Sequence, residues 1–258
     1  MLWRLLVAVL LCQVFASVAM AASVALADVS CVSGTLANYE ALESNGCTVH
    51  GERVSDFAFS TTSAFGGAVP VTADQVTVNP TSPLRKSSLT FSSTGFSVSA
   101  GQSVQYSLAH KIDDPPIIHG WTLLLTDPVM APAFISITSE ECLGAAFLGA
   151  VCPTGMTIRN TVFDTGINAV LSDTKLFSPE AIVGVLTTIT LDARLGGSAS
   201  FTSFTESALL ESEPASLVLT TSGLLLLLLT RRGRRKAFLN PGEIRLNCGS
   251  FTSRLRDS

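Results

Sequence analysis

From residue 54 onward, apolar and polar side chains alternate in short runs, and this period-two pattern constrains the fold more than any other feature. The runs are 54–60, 69–78, 89–98, 104–108, 121–125, 134–137, 169–171, 182–191 and 198–204. They are rich in Val, Thr, Ser, Ile and Phe, which suit half-buried strands, and Gly, Pro, Asn and Asp separate them. Many short strands without a long helical pattern predict a mainly β protein, an antiparallel β-sandwich, with an open barrel as the second candidate.

One short helix is expected before the strands. Leu36, Tyr39 and Leu42 recur at helical spacing within 33–44, and Ser33 is the predicted N-cap. Gly46 suits a left-handed residue at the end of this segment.

The first 27 residues have the pattern of an export signal. Arg4 precedes an apolar stretch, and small-residue cleavage sites follow at 19–21 and 25–27. Cleavage after Ala27 would leave Asp28 as the first residue. The alternative is an uncleaved membrane anchor, for which the apolar stretch is short. We therefore assign 1–27 to a signal peptide.

The β-sandwich body follows the signal peptide. We place this body at 28–205, with 206–212 as a linker to the C-terminal region.

Four of the six cysteines lie in the body, namely Cys31, Cys47, Cys142 and Cys152. An even number in an exported chain predicts disulfides. Three pairings are possible, and proximity favours Cys31 with Cys47 and Cys142 with Cys152, because each closes a short loop. A metal site is the alternative, but the chain has no CxxC pair and no histidine at ligand spacing. We expect no metal and no cofactor.

The charge is distributed unevenly. Residues 28–211 contain 17 acidic and 7 basic residues, whereas 231–258 contain 8 basic and 2 acidic residues. An acidic body lacks the clustered Lys and Arg that bind a phosphate backbone, so no nucleic-acid partner is expected. A basic segment beside an apolar run is a membrane-topology signal.

No nucleophile or metalloprotease motif is present, and we expect no enzymatic activity. His110 and His119 flank an Asp-Asp-Pro-Pro segment that we interpret as an exposed hairpin tip, with an acid–base or metal role as the alternative. Asp113, Asp114 and Asp127 have the right chemistry for calcium, but no calcium-loop spacing.

Two further functions are carried as alternatives. Tyr106, Trp121 and the fourteen phenylalanines could line a carbohydrate-binding face, although alternating phenylalanines in strands more often belong to a core. A secreted hydrolase would need paired carboxylates, for which Glu140 or Glu141 with Asp164 are the candidates.

The C-terminal region joins three features in order: an acidic residue with a proline, a short apolar run at 217–230, and a basic cluster. A helix over this run would reach about 21 Å at roughly 1.5 Å per residue, which is short of a membrane core of about 30 Å. Six consecutive leucines leave no polar side for water, and basic side chains can snorkel, so we expect a transmembrane helix. The assigned residues are Glu213 and Pro214 as sorting motif, Leu217, Gly223, Leu224 and Leu229 as membrane anchor, and Arg231, Arg232, Arg234, Arg235 and Lys236 as positive-inside cluster.

This order resembles the PEP-CTERM sorting signal of Gram-negative bacteria, whose members also carry a signal peptide. Two departures from its usual form are present: Ser212 stands where the family has its first proline, and 237–258 extend beyond the basic cluster. The segment 31–59 is similar to the N-terminal part of many PEP-CTERM proteins. The resemblance implies processing by an exosortase and association with exopolysaccharide or biofilm matrix.

We therefore expect a non-enzymatic, exported protein. It would be anchored in the inner membrane through a sorting tail at 213–236, with a cytoplasmic extension at 237–258, and then delivered to the cell envelope or extracellular matrix. A carbohydrate-binding module for matrix polysaccharide is the first alternative, and a secreted hydrolase is the second.

Overall fold

A computed structural model describes residues 29–83 and 86–210. Within them, one short helix, α1 (Leu36–Glu40), and a 3₁₀ turn at Ala73–Gln75 accompany fourteen strands. The strands are β1 (Gly34–Thr35), β2 (Cys47–Val49), β3 (Glu52–Phe65), β4 (Thr77–Thr81), β5 (Lys86–Ser92), β6 (Ser97–Ser99), β7 (Ser103–Thr126), β8 (Val129–Ala131), β9 (Phe134–Leu143), β10 (Thr157–Asp164), β11 (Ala169–Val170), β12 (Ser172–Asp192), β13 (Ser198–Ser200) and β14 (Ser203–Leu210).

Two long strands, β7 and β12, form the centre of the fold. They pair antiparallel along most of their length, with register shifts between Leu176, Glu180 and Ile182. The first half of β7 also pairs with β3, and its second half pairs with β14. The C-terminal half of β12 also pairs with β9. Each half of this central pair therefore belongs to a different group of strands.

The main sheet is antiparallel and curled. We call the group β3, 103–113 of β7, 182–192 of β12, β9 and β10 layer A, and the group 172–180 of β12, 118–126 of β7, β14, β5, β4 and β1 layer B. Strand β2 pairs with β3, and β11 pairs with β10. Strands β6, β13 and β8 form a separate three-stranded sheet.

The core lies between the layers, as the alternating sequence predicts for a sandwich-like fold. The layer A ring of Tyr106 packs edge-on against Phe96 at 5.8 Å between ring centroids. Phe91 of β5 and Phe204 of β14 stack at 5.0 Å on the layer B side. Burying such aromatic and aliphatic side chains stabilises the fold by roughly 1.5–3 kcal/mol for each.

The N-terminal segment has a shorter helix than the predicted 33–44. Gly34 and Thr35 pair with β4, so the helix begins only at Leu36, and Thr35 rather than Ser33 is its N-cap. Gly46 is left-handed as expected, with φ 60°, and a Cβ there would lie 2.3 Å from the carbonyl oxygen of Val54.

Two predicted connections are strands in the structure. The Asp-Asp-Pro-Pro segment was expected at a hairpin tip, but it lies within β7, and 104–108 and 121–125 are parts of that one strand. The expected linker at 206–212 is mostly strand, because β14 runs to Leu210 with β5 on one side and β7 on the other. The period-two pattern is not evident here because Glu206, an ionisable residue, occupies an inward-facing position where an apolar residue is expected.

Both disulfides close short loops and have the pairings that proximity favours. Cys31 is joined to Cys47, and Cys142 is joined to Cys152. The second loop crosses β12 at Gly184, whose amide donates to the carbonyl oxygen of Ala145 at 2.9 Å. A Cβ at Gly184 would meet this loop's backbone at 2.8 Å, so the close approach requires glycine. Disulfides of this kind are typical of exported proteins in an oxidising environment.

The predicted signal peptide at 1–27 and the tail at 213–258 lie outside the described residues. Within the described part of the chain, no helix has the length and apolar character needed to cross a membrane.

We predict that replacing both cysteines of either pair with serine lowers the free energy of unfolding by about 3 kcal/mol, because each bridge restricts the unfolded chain. Urea denaturation at equilibrium measures this change. Wild-type protein under reducing conditions should match the variant that lacks both bridges. An unchanged denaturation midpoint in either variant would contradict a stabilising role for that bridge.

Candidate functional site

A cleft of about 620 Å³ opens where the β8–β9, β10–β11 and β12–β13 connections meet. The residues that line it include Phe134, Thr165, Asp192, Arg194 and Leu195. Leu195 is fully exposed and 37% of the Phe134 surface is accessible. We call this the loop cleft. It combines an accessible aromatic ring with hydrogen-bonding groups, which is the composition of many small-ligand sites.

The loop cleft borders the outer face of layer A. Because residues paired across strands project to the same side, the register defines rows on this face. The first row runs Phe65, Ser103, Asp192, Phe134, across β3, β7, β12 and β9. Phe65 is 62% exposed, so two accessible phenylalanines mark the ends of this row.

Two more rows follow on the same face. Their members are Ser63, Gln105, Thr190, Ser136 and Phe163 in the second row, and Ser60, Ser107, Thr188, Thr138 and Thr161 in the third. Phe163 is partly exposed. Side-chain hydrogen bonds tie neighbouring positions together, such as Thr138 to Thr161 at 3.3 Å. We call the three rows together the Phe face.

The Phe face has little net charge. Arg194 donates from Nε and Nη2 to the carboxylate of Asp192, with the closest contact at 2.5 Å. These hydrogen bonds lower the pKa of Asp192, so its carboxylate is ionised and the guanidinium offsets its charge. No Asp, Glu, Lys or Arg stands in the second or third row.

A second groove, of about 580 Å³, lies near the other end of β8. Hydroxyl and amide side chains such as Gln75, Ser92 and Thr202 line it, together with Asp127. Phe201 also lines this groove but is only 3% exposed. The groove therefore offers hydrogen bonds without an accessible aromatic ring.

A cluster of ionisable side chains is buried between the layers. The His110 ring stacks on Phe57 at 5.3 Å, and its Nε2 lies 3.6 Å from Oε2 of Glu206. The hydroxyl of Thr187 donates to the Glu206 carboxyl group. The interior is therefore not purely apolar. Thr187 satisfies one carboxyl oxygen of Glu206, whereas neither ring nitrogen of His110 has a hydrogen-bond partner among the described residues.

Burial dominates the titration of His110, of Glu206 and of two further buried carboxyl groups, Glu141 of β9 and Glu52 of β3. Loss of solvation raises the pKa of Glu141 to about 9, against a lowering contribution from the Ser139 hydrogen bond. Burial likewise raises the pKa of Glu206 to about 7 and that of Glu52 to about 8. It lowers the pKa of His110 to about 3. His110, Glu52 and Glu141 are therefore uncharged at neutral pH.

The aromatic residues proposed from the sequence as a carbohydrate face are in the core instead. Tyr106 is 0% and Trp121 is 1% exposed, so neither ring can reach a polysaccharide. The Tyr106 hydroxyl accepts a hydrogen bond from the amide of Val71 at 3.1 Å, which satisfies its polar end inside the fold. His110 is likewise a core residue, not part of an exposed hairpin tip.

The proposed hydrolase carboxylates are not arranged as a pair. Asp164 pairs with Ile135, five residues along β9 from Glu140, which corresponds to roughly 17 Å at about 3.4 Å per residue. Glycosidase carboxyl groups are about 5–9.5 Å apart. Glu141 points into the core.

One of the three proposed calcium ligands, Asp113, is engaged in ion pairs instead. Asp113 is held by Arg53 at 2.7 Å and by Lys111 at 2.9 Å. In residues 29–83 and 86–210, no three His, Cys, Asp or Glu side chains lie together in a way that could hold a metal ion.

The sorting, anchor and positive-inside residues predicted at 213–236 lie outside the described residues. The sequence offered all fourteen phenylalanines as candidates but did not single out Phe65, Phe134 or Phe163, because a phenylalanine in an alternating strand usually faces the core. The available signal was the phase of the alternation, since Val104 and Leu191 face inward and their neighbours Ser103 and Asp192 therefore face outward.

Comparisons with known proteins give little. No protein-family model matches the chain, and no curated protein is similar to it in sequence. Among solved structures, the carbohydrate-binding module TmCBM61, in complex with beta-1,4-galactotriose, is similar with a TM-score of 0.31 and 10% identity, over 58% of this chain and 86% of that one. The enzymatically active domain of tailspike protein 4 from bacteriophage CBA120 has a TM-score of 0.24 and 13% identity, over 58% of this chain and 19% of that one. At these TM-scores, neither likeness identifies a family or a ligand.

The buried cluster predicts an unusual pH dependence. A carboxyl group whose pKa is raised by folding stabilises the fold fully below its ordinary value of 4.5, and this contribution is lost as the pH rises towards about 9. The lowered pKa of His110 acts oppositely, since its contribution is lost as the pH falls from 6.5 towards about 3. Three glutamates outweigh one histidine above pH 4.5, so stability should fall as the pH rises from 5 to 8.

Denaturation at a series of pH values measures this. The Glu141→Gln variant should reduce the fall by about 1.4 kcal/mol per pH unit, because it removes one buried titrating group. The control is Thr138→Ala, on the outer face of the same strand, which removes no ionisable group and should leave the slope unchanged. Wild-type stability that rises between pH 5 and pH 8 would contradict buried neutral carboxyl groups.

Proposed function

We propose that this chain is a non-enzymatic, exported protein of the cell envelope or exopolysaccharide matrix. In this proposal, the sequence at 213–236 is a PEP-CTERM-like sorting tail that anchors the protein in the inner membrane until an exosortase processes it. The export step is supported by the two disulfides of the body, which persist in an oxidising compartment.

The absence of enzymatic activity is part of the same proposal. Its support is the placement of the carboxylates and histidine that sequence analysis considered for chemistry. Glu141 and His110 are in the core, and Glu140 is ion-paired with Arg159 at 3.4 Å. A substrate has no access to Glu141 or His110, so in this proposal neither side chain takes part in a reaction.

The test is the intact mass of protein recovered from native cells, with membrane and extracellular fractions compared. We expect a chain that starts at Asp28 and has lost everything after about Ser212. The Pro214→Ala variant should keep its tail and stay in the membrane fraction. A wild-type tail retained through Ser258 would refute processing and leave a simple C-terminal anchor. A cytosolic product that retains Met1 would refute export.

A second candidate function is binding of matrix polysaccharide by the body. The Phe face favours it, because accessible aromatic rings stand among hydroxyl and amide groups beside the loop cleft. This surface replaces Tyr106 and Trp121 as the basis of the hypothesis, since both of those rings are buried.

Retention on purified matrix polysaccharide tests this second function. We expect the full-length protein to be retained on the native polysaccharide and eluted by an excess of the soluble polymer. Retention should change little between low and high salt, because few charges are available on the Phe face. Passage through the column without delay at low salt would count against polysaccharide binding.

A further inference from the structure

We propose that the Phe face binds one chain of a neutral polysaccharide, laid across the strands from Phe65 to Phe134, with the loop cleft holding the sugar unit at the Phe134 end. This inference rests on the second function proposed above, and it adds the site, the direction of the chain and the charge class of the ligand.

The aromatic positions give the first reason. A sugar ring has an apolar face of C–H groups, and burying that face against an aromatic ring removes apolar surface from water. Single exposed apolar side chains are ordinary on protein surfaces. Here Phe65, Phe134 and Phe163 all project from one face, and they stand on adjacent rows.

The spacing gives the direction. Phe65 and Phe134 are separated by three strand-to-strand steps, which is roughly 14 Å at about 4.8 Å per step. Ser103 and Asp192 lie between them in the same row, where they can hydrogen-bond to hydroxyl groups of the intervening sugars. One extended chain that stacks at both ends and bonds in the middle uses every position of this row.

The second and third rows provide further polar groups beside the proposed polysaccharide chain. Gln105 already accepts from Thr62 at 3.1 Å, and its amide nitrogen lies 3.5 Å from the Thr190 hydroxyl. A hydroxyl group has one donor and two acceptor sites, so these partly satisfied side chains keep bonding capacity for a ligand. Their mutual bonds hold them in position, which reduces the entropy lost on binding.

The charges select a neutral polymer. The only carboxylate in the three rows, that of Asp192, forms an ion pair with Arg194 beside the loop cleft. The body as a whole carries 17 acidic and 7 basic residues between 28 and 211, which disfavours a polyanion. A uronate-rich chain would therefore meet repulsion without a basic patch to offset it.

Affinity gel electrophoresis of the full-length protein tests the inference, with galactan and hydroxyethyl cellulose as neutral probes, alginate as the anionic probe, and the native matrix polysaccharide as reference. We expect retardation by the native polysaccharide and by at least one neutral probe, and none by alginate. Phe65→Ala and Phe134→Ala should each weaken binding by about tenfold, since one stacking contact is lost.

The matched control is Leu124→Ala, which removes a 40% exposed apolar side chain from the outer face of layer B and should bind as wild type does. Phe65 is the more exposed of the two phenylalanines, so its replacement tests the site without disturbing the core. Unaltered thermal stability of Phe65→Ala confirms that a loss of binding reflects the site.

The possible outcomes separate the two proposals. If wild type binds and both phenylalanine variants bind equally well, polysaccharide binding stands and the Phe face is overturned as its site. If alginate binds best, with a strong dependence on salt, the neutral ligand class is overturned. If neither the native polysaccharide nor any probe retards the wild-type protein, both the binding function and the site fail.

Discussion

The pairing of β7 with β12 is the constraint on which the rest of the structure depends. These strands, of 24 and 21 residues, contribute to both layers, and the register shifts near Glu180 occur where the pair passes from one layer to the other. Strands β3, β14 and β9 all add to this pair. Because side chains alternate along a strand, the register of one central pair determines which residues of its neighbours face the core and which face solvent. The Phe face is a direct product of that register.

The core that this pairing encloses contains ionisable groups that ordinarily stay at the surface. His110 and Glu206 come from different layers and lie close together between them. Glu141 accepts a hydrogen bond at 2.7 Å from the hydroxyl of Ser139 on its own strand. Such groups cost free energy when they are buried, and their burial favours the uncharged form of each. Their contribution favours one arrangement of the layers, because any other arrangement would separate the partners. The buried positions of His110 and Glu141, which are residue types common in catalysis, are consistent with a structural role.

The outer surface has the opposite character. Layer A presents hydroxyl groups in register, phenylalanine rings at three positions, and charges that are paired at its borders by Arg194 and Arg159. A face with these properties suits contact with a polyhydroxylated polymer better than with nucleic acid or a polyanion. The proposed delivery of the protein to an exopolysaccharide matrix and the proposed neutral-glycan site agree with each other, although they rest on different parts of the chain.

Several features followed from the sequence alone. The period-two alternation predicts a mainly β, antiparallel body because it reflects one buried and one exposed face, and the cysteine spacing favours the pairs Cys31–Cys47 and Cys142–Cys152 because short loops close easily. The predicted helix at 33–44 is longer than the observed helix, Leu36–Glu40, since the sequence does not reveal that Gly34 and Thr35 pair with β4. Only the tertiary structure decided that Tyr106 and Trp121 face the core and that Phe65 and Phe134 share a row. The physical reason is that the direction of each side chain and the register of each strand depend on pairing between strands distant in sequence. The local sequence pattern does not identify the partner strand.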